Sequence, residues 1–261
     1  MLSIIDVHTH SEFRGGTNPA NGVVTTLENY LTQRAACGVV AAVSDSAEPS
    51  VQHGNLAELR IFHLAVVDSL SFDLDEIEHQ LVQQGRVGIK LNLGFVPLYA
   101  NDPSLLPLYQ LAARVDVPVV VHTGDPGWHQ AKIKFAHPMT MDEVAVDNPD
   151  TRFVLAHAGN PWFETAAVIA DKNPNVWLEV SSLVEGDLRT MASERINQLI
   201  VKPVSWLTHY LSDPRKLMFG SGWPMVDLAA YLEVMQRAVP AECWSGFFFD
   251  NAAGVFALAK R

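Results

Sequence analysis

Eight short apolar runs, each followed by a segment with helical spacing, constrain the fold of this chain more than any other feature. The runs are short and rich in Val, Leu and Ala, which is typical of buried strands. Alternation of strands and helices predicts a parallel sheet, and eight strands are the number that closes a (β/α)8 TIM barrel. The predicted strands cover residues 4–10, 39–45, 61–68, 87–93, 117–123, 152–159, 176–182 and 216–224.

Helices between these strands complete the expected barrel. An open, doubly wound sheet is the main alternative, but it would require a glycine-rich phosphate loop after the first strand, and residues 8–13 contain no glycine. The sequence has no internal repeat, low-complexity tract or linker, so residues 1–261 are predicted to form a single domain. The predicted helices cover residues 26–36, 56–60, 73–84, 103–115, 141–148, 162–172, 187–211, 226–239 and 241–259.

The composition disfavours several classes of partner. The chain has 18 Lys and Arg against 29 Asp and Glu, and this net charge of −11 disfavours binding to nucleic acid or to an anionic membrane. Two cysteines, Cys37 and Cys243, are too few for a disulfide framework. The sequence also shows no signal-peptide pattern and no apolar stretch of bilayer length. We therefore expect a cytoplasmic protein with a small-molecule substrate and no nucleic-acid or membrane partner.

The first predicted strand carries two closely spaced histidines. In the run IIDVHTH, residues 4–10, period-two alternation places Asp6, His8 and His10 on one face of the strand. Each imidazole in a buried strand needs a partner for its ring nitrogens, and a metal ion supplies one directly. The pair favours a metal site, although solvated or hydrogen-bonded histidines at a strand end remain the alternative.

Further ionisable residues lie in or at the end of later predicted strands. Lys90 lies in the fourth strand, His122 ends the fifth, His157 ends the sixth and Glu179 lies in the seventh. Because the C-terminal strand ends of a barrel build its active site, we expect these side chains to converge with the histidines of the first strand. Imidazole and carboxylate ligands without thiolates suit zinc, manganese or iron, and zinc is the default ion.

Four motifs give the chain a resemblance to a known family. They are DVHTH in the first strand, VVVHTG in the fifth, VLAHAGNPW in the sixth and MFGSGWP in the eighth. This ordered set resembles the amidohydrolase superfamily, in its amidohydrolase-related branch of metal-dependent TIM-barrel hydrolases and decarboxylases. The resemblance implies that His8, His10 and His122 are metal ligands. It also implies that His157 is a ligand to a second metal or a catalytic histidine above a single metal.

Lys90 determines how many metal ions are expected. In the two-metal members of the superfamily a strand-four lysine is carboxylated and bridges the ions. Alternatively, Lys90 binds a substrate carboxylate or pairs with Glu179, since a cationic lysine inside a barrel is costly without a partner. Both interpretations stay open, so we expect one divalent ion or two. We expect Lys90, His157 and Glu179 to take part in catalysis.

Gly222 departs from the pattern of the resembled family. Members usually read Gly-Ser-Asp-Trp-Pro at the end of strand eight, where the Asp binds metal and handles the proton of the attacking water, and this chain has Gly222 at that position. Three explanations stay open. The chain is a natural variant with altered chemistry that uses His157 or Glu179 as the base, a substituted form of an active parent, or a non-catalytic relative that binds a ligand.

The leading functional prediction is hydrolysis of an amide, ester or lactone bond in a small carboxylated substrate by metal-activated water. His157 would position the substrate carbonyl or stabilise the oxyanion. The alternatives are non-oxidative decarboxylation at the same metal site and ligand binding without turnover. Four loop residues could meet an anionic group, although solvated positions are their simpler interpretation: Arg14, His129, Lys132 and Lys134. A homodimer is expected from family habit alone.

Overall fold

Parallel β-strands form the centre of the molecule. The fold is taken from a computed structural model that describes residues 2–46 and 56–258. Each pairing between the strands of these residues is parallel. The strands are β1 (Ile4–Thr9), β2 (Val39–Ser44), β3 (Ile61–His63), β4 (Ala65–Val67), β5 (Ile89–Leu91), β6 (Val119–His122), β7 (Phe153–Ala156), β8 (Val176–Glu179) and β9 (Leu217–Met218).

The nine described strands occupy eight positions in the sheet, because β3 and β4 are two halves of one strand that is interrupted at Leu64. β3 pairs with β2, and β4 pairs with β5. The ring closes where the segment after β9 meets β1. There the N–H of Val7 donates to the Phe219 carbonyl at 3.1 Å, and the N–H of Gly222 donates to the His8 carbonyl at 2.7 Å. The predicted (β/α)8 barrel is confirmed.

The α-helices lie between the strands and after the last of them. Aspartates cap the first turns of two of them: the Asp73 side chain accepts from the N–H of Glu76, and that of Asp227 accepts from the N–H of Ala230. Within residues 2–46 and 56–258, no helix combines the length and the apolar character needed to cross a bilayer. The helices are α1 (Leu27–Cys37), α2 (Leu74–Val82), α3 (Leu106–Arg114), α4 (Thr140–Asp147), α5 (Phe163–Lys172), α6 (Ser193–Ile196), α7 (Lys202–Tyr210), α8 (Leu228–Ala238) and α9 (Asn251–Val255).

Two predicted helical regions are less regular than their sequence spacing indicates. The region 187–211 contains α6, a π-helical turn and α7, and Pro203 removes a backbone donor next to that turn. The region 241–259 ends in a second π-helical turn and α9, with residue 259 outside the described residues. The 3-10 turns are Leu56–Leu59, Pro103–Leu105, Ile133–Phe135, His157–Gly159, Pro214–Lys216 and Ala241–Cys243, and the π-helical turns are Asn197–Val201 and Gly246–Asp250.

The eighth predicted strand, residues 216–224, is much shorter in the structure, where only β9 forms a regular ladder. Lys216 belongs to the preceding 3-10 turn, and Gly222 has a left-handed backbone with φ of 75°. The segment between them still hydrogen-bonds to β1, so it closes the barrel without regular strand geometry.

Two buried apolar clusters hold the helices against the barrel. The larger cluster joins helix residues such as Leu108 and Leu207 to the strands. The smaller cluster joins Val7 of β1 and Val120 of β6 to Val255 of α9. Each fully buried side chain of this size contributes roughly 1.5–3 kcal/mol. The strand ends that carry the histidines therefore rest on a well-packed support.

Candidate metal centre

His8 is buried on β1 with a carboxylate at each ring nitrogen. Its Nδ1 lies 2.8 Å from Glu179 Oε1, and its Nε2 lies 3.2 Å from Asp45 Oδ2. Burial and the charge of Lys90 oppose protonation of the ring, but the two carboxylates outweigh them and raise the pKa of His8 to about 9. The Nδ1 contact orients the ring so that Nε2 is the nitrogen available to an ion.

A register shift in β1 separates Asp6 from the two histidines. The pairing of β1 with β2 changes register between Asp6 and Thr9, as in a β-bulge. Asp6 is fully buried, and its Oδ2 accepts from the Ser221 hydroxyl at 2.6 Å. His8 and His10 line a cavity that Asp6 does not line. The prediction that all three side chains share one face is therefore wrong, because a bulge breaks the regular alternation on which it relied.

Asp45 is the central carboxylate of the site, and sequence reasoning did not select it. It follows β2 directly, with Oδ1 2.7 Å from His10 Nδ1. Its Oδ2 lies 3.2 Å from both His8 Nε2 and Lys90 Nζ. Burial opposes ionisation of Asp45, but the neighbouring His10 and Lys90 hold its pKa well below the usual range. The only sequence signal was an acidic residue directly after an apolar strand.

His122 and His157 bring two further imidazoles to the same place. The ring of His157 lies 4.9 Å, between centroids, from the rings of both His8 and His122. His157 Nδ1 lies 2.9 Å from the Ser181 carbonyl oxygen, so that nitrogen carries the proton and Nε2 keeps its lone pair. Burial, helped by the charge of His8, lowers the pKa of His157 to about 4. His122 is 6% exposed, and its Nε2 has no hydrogen-bond partner among the described residues.

Glu179 lies behind the imidazoles rather than among them. Its Oε1 accepts from His8 Nδ1 at 2.8 Å, from the His157 backbone N–H at 3.1 Å and from the Ser181 hydroxyl at 2.9 Å. Its Oε2 accepts from the Ser181 backbone N–H at 2.7 Å. Burial opposes ionisation, but His8 outweighs it and lowers the pKa of Glu179 to about 2. With four donors on its oxygens, Glu179 is placed to orient His8 and the His157 backbone.

Lys90 is almost completely buried on β5, with 1% of its side chain exposed. Among the described residues its ion pair is with Asp45, not with Glu179. Since a buried ammonium needs a carboxylate close by, this pair accounts for the presence of a lysine inside the barrel. Lys90 also lines the cavity, so its Nζ can reach a bound molecule there.

Gly222 stands where a side chain would not fit. A Cβ built on it would lie 1.7 Å from Ser182 Oγ and 2.9 Å from Ser182 Cβ. The φ of 75° at Gly222 is also unfavourable for any residue with a Cβ. Its neighbour Ser221 hydrogen-bonds Asp6, and Asp227 caps α8 and pairs with Arg189 at 2.7 Å. The end of the last strand therefore contributes backbone, and no carboxylate, to the site.

The convergent side chains surround one cavity of about 410 Å³. Of the residues predicted for the site, Glu179 does not line the cavity, and neither do the loop residues Arg14, His129, Lys132 and Lys134. The cavity-lining residues with metal-ligand or charged side chains at its base are His8, His10, Asp45, Lys90, His122 and His157.

The donor set fits a divalent ion. In the part of the chain that the structure describes, two groups of three residues have ligand atoms within 4.8 Å of one another: His8, His10 and Asp45 form the first, and His8, His157 and Glu179 form the second. The first group is the better candidate, because its members line the cavity whereas the oxygens of Glu179 already accept four hydrogen bonds. The predicted ligand His122 belongs to neither group, although it lines the same cavity, and its unpartnered Nε2 is a buried acceptor that an ion in that cavity could satisfy.

Comparison with known proteins places these residues in a family. The family model described as Amidohydrolase matches residues 57–258, which is most of the chain. The chain belongs to the amidohydrolase family. Members of this family are metal-dependent enzymes, in agreement with the His8, His10 and Asp45 group. No curated protein sequence matches the chain.

Solved structures show the same fold at low sequence identity. An uncharacterised TIM-barrel protein from Bordetella bronchiseptica is 20% identical with a TM-score of 0.75, and the match covers 100% of both chains. A probable 2-pyrone-4,6-dicarboxylic acid hydrolase from Acinetobacter baumannii, with citric acid bound, is 17% identical with a TM-score of 0.66 over 98% of this chain and 100% of that one. A dihydroxybenzoic acid decarboxylase from Polaromonas, with manganese and 2-nitroresorcinol bound, is 14% identical with a TM-score of 0.70 over 100% of this chain and 98% of that one. These similarities show that the amidohydrolase-family chain shares their barrel.

Proposed function

We propose that the chain is a metal-dependent hydrolase that cleaves an amide, ester or lactone bond in a small carboxylated substrate. The observation that carries the proposal is the convergence of three imidazoles and a carboxylate, His8, His10, His122 and Asp45, in one cavity. His8, His10 and Asp45 would hold the ion, with His122 Nε2 as a further ligand, and zinc fits this set. When bound, the ion supplies Lewis acidity and lowers the pKa of water.

His157 is the residue best placed to accept a proton. Its Nδ1 is committed to the Ser181 carbonyl, so Nε2 is an acceptor and cannot donate to an oxyanion while the ring is neutral. We therefore assign His157 the role of base toward the attacking water, which is one of the alternatives that the sequence left open, rather than the role of stabilising an oxyanion. Lys90 Nζ would bind the substrate carboxylate from the base of the cavity.

Glu179 would support this arrangement as a positioning residue. It binds His8 Nδ1 and the His157 backbone N–H together, and so couples the orientation of an ion-binding ring to that of the base. Carboxylates in this position raise the basicity of the histidine that binds the metal.

Non-oxidative decarboxylation is the second candidate. It is favoured by the similarity to the dihydroxybenzoic acid decarboxylase and to a 5-carboxyvanillate decarboxylase, at 14% identity each. The same cavity would then hold an aromatic carboxylate, and the reaction would release carbon dioxide without consuming water. Manganese, which that dihydroxybenzoic acid decarboxylase binds, is the corresponding alternative to zinc.

Metal analysis of protein purified without chelators tests the proposal first. We expect about one equivalent of a divalent ion per chain. The loaded protein is then incubated with lactones and N-acyl amino acids, monitored by proton release, and with hydroxybenzoates, monitored by carbon dioxide release. Hydrolysis supports the proposal, carbon dioxide release supports the second candidate, and a chain without metal contradicts both.

Location in the cytoplasm and a homodimer remain predictions from the sequence.

A further inference from the structure

We propose that the substrate carries a positively charged amine at the end that faces the opening of the cavity, so that it is a zwitterion rather than a dicarboxylate. This inference rests on the proposed function, because the carboxylated end of the same molecule is taken to bind at the base of the cavity near Lys90. It concerns the opposite end of the substrate, which no residue of the candidate metal centre contacts.

Four carboxylates outside the candidate metal centre also line the cavity, and because they are more exposed than its ligands we call them the acidic rim: Glu12, Asp68, Asp125 and Glu185. Asp68, Asp125 and Glu185 are exposed and Glu12 is half-buried. None of the four forms an ion pair among the described residues. Like charges held together without a counterion attract a cation and repel an anion.

Among the described residues that line the cavity, lysine and arginine side chains are confined to its base. Among the described lining residues Lys90 is the lone lysine or arginine, and its side chain is buried against Asp45. A substrate that presents a second carboxylate to this opening would therefore be repelled, whereas an ammonium group would be attracted.

An aromatic ring lines the same cavity as the acidic rim and belongs to a stacked pair. Phe95 lines the cavity, is 40% exposed and stacks on Trp128, with the rings 17° from parallel and 6.0 Å between centroids. The edge of Phe95 also meets the ring of His122 at 5.2 Å. Exposed aromatic faces next to carboxylates bind organic cations through the ring quadrupole. The pair thus favours an amine with an apolar body over a small, hydrated inorganic ion.

A second metal ion explains the acidic rim less well. No group of three or more ligand residues with their ligand atoms within 4.8 Å of one another includes a member of the rim, among the described residues. The rim therefore offers no ready cluster of three ligands for one metal ion, and a larger organic cation suits it better. The buried His122 lines the same cavity, and its unpartnered Nε2 is accounted for by the proposed ion at the base.

Three five-carbon acids that differ at one end test the inference: 5-aminopentanoate, pentanoate and glutarate. Their binding to the zinc-loaded protein is measured by isothermal titration calorimetry at neutral pH. We expect 5-aminopentanoate to bind about tenfold more tightly than pentanoate, and glutarate to bind most weakly. The preference should shrink as salt is raised, because the acidic rim is exposed to solvent.

Two double variants of equal charge separate the acidic rim from the overall charge of the protein. Asp68→Asn with Glu185→Gln should reduce the preference for the ammonium compound about fivefold. Asp147→Asn with Asp150→Asn changes the net charge equally and should leave the preference unchanged, because these exposed residues lie at the end of α4 and in the loop before β7, at the other end of the barrel.

Equal affinities, tightest binding of glutarate, or no binding of 5-aminopentanoate at millimolar concentration would overturn the inference. An equal loss of preference in both double variants would also overturn it, because net charge alone would then be the cause. Metal content is measured on the same samples. Protein without metal contradicts the proposed function, whereas metal-loaded protein without the ammonium preference contradicts the further inference alone.

Discussion

The end of β2 and the end of the last strand occupy equivalent places on the barrel but make opposite contributions to the site. At the end of β2, Asp45 contacts two imidazoles and an ammonium group. At the end of the last strand, Gly222 offers no side chain, and its N–H donates to the His8 carbonyl. The end of β2 therefore contributes a carboxylate to the site, whereas the end of the last strand contributes only closely packed backbone.

This difference shows that a carboxylate need not come from one particular strand of a barrel. All eight strand ends meet over the same cavity. A side chain from β2 therefore reaches the histidines of β1 as well as a side chain from the last strand, on the other side of β1, could. The glycine that made the site look incomplete in the sequence is compatible with a complete site, because Asp45 stands on the other side of β1.

The largest effect is expected from Asp45→Asn. The variant keeps the shape of the side chain but removes the charge that His8, His10 and Lys90 share. We expect metal affinity to fall at least ~100-fold, with loss of turnover, measured by metal titration and by activity. Asp68→Asn, a cavity-lining carboxylate that does not contact the histidines, is the matched control and should keep its metal. Full metal binding by Asp45→Asn would show that the end of β2 does not supply the carboxylate of the metal site.

Gly222→Asp tests the other strand end. The new Cβ would overlap Ser182 and the residue would have to keep a positive φ, so we expect a loss of about 3 kcal/mol in the free energy of unfolding and no gain in metal content. Urea denaturation measures the first quantity and metal analysis the second. Adding Ser182→Gly should restore part of the stability by removing both overlapping atoms. A stable Gly222→Asp protein that binds more metal than the parent would mean that the glycine is the defect.

The sequence predicted the scaffold far better than the origin of this carboxylate. Apolar runs and helical spacing located all eight strand positions, because burial on both faces leaves a local signal in each run. Asp45 left no such signal, since an aspartate after a strand is also a common turn residue. The bulge in β1 that diverts Asp6 and the contact of Gly222 with Ser182 depend on atoms distant in the sequence, and no local pattern encodes them.

Glu179→Gln is expected to have an intermediate effect. An amide has one acceptor oxygen and no charge, so the variant side chain could not accept at both carboxylate positions and would hold the His8 ring less strongly than Glu179 does. We predict metal affinity 10–100-fold weaker, or about 1.4–2.7 kcal/mol, measured by metal titration. Glu143→Gln on the exposed face of α4 is the control. An unchanged affinity would show that Asp45 orients His8 without help from β8.

The smallest effect is expected from Ser221→Ala. This variant tests whether the end of the last strand, unlike the end of β2, has a purely structural role. The Ser221 hydroxyl donates to Asp6 Oδ2 at 2.6 Å and accepts from the Trp223 N–H at 3.0 Å, and so ties the last strand to β1. Its removal should lower the free energy of unfolding by about 1–2 kcal/mol, because a hydrogen bond to a buried carboxyl group is lost. Metal content should not change, since neither Ser221 nor Asp6 lines the cavity. A loss of metal equal to that of Asp45→Asn would instead mean that closure of the barrel at this seam positions His8, and that both strand ends contribute to the chemistry.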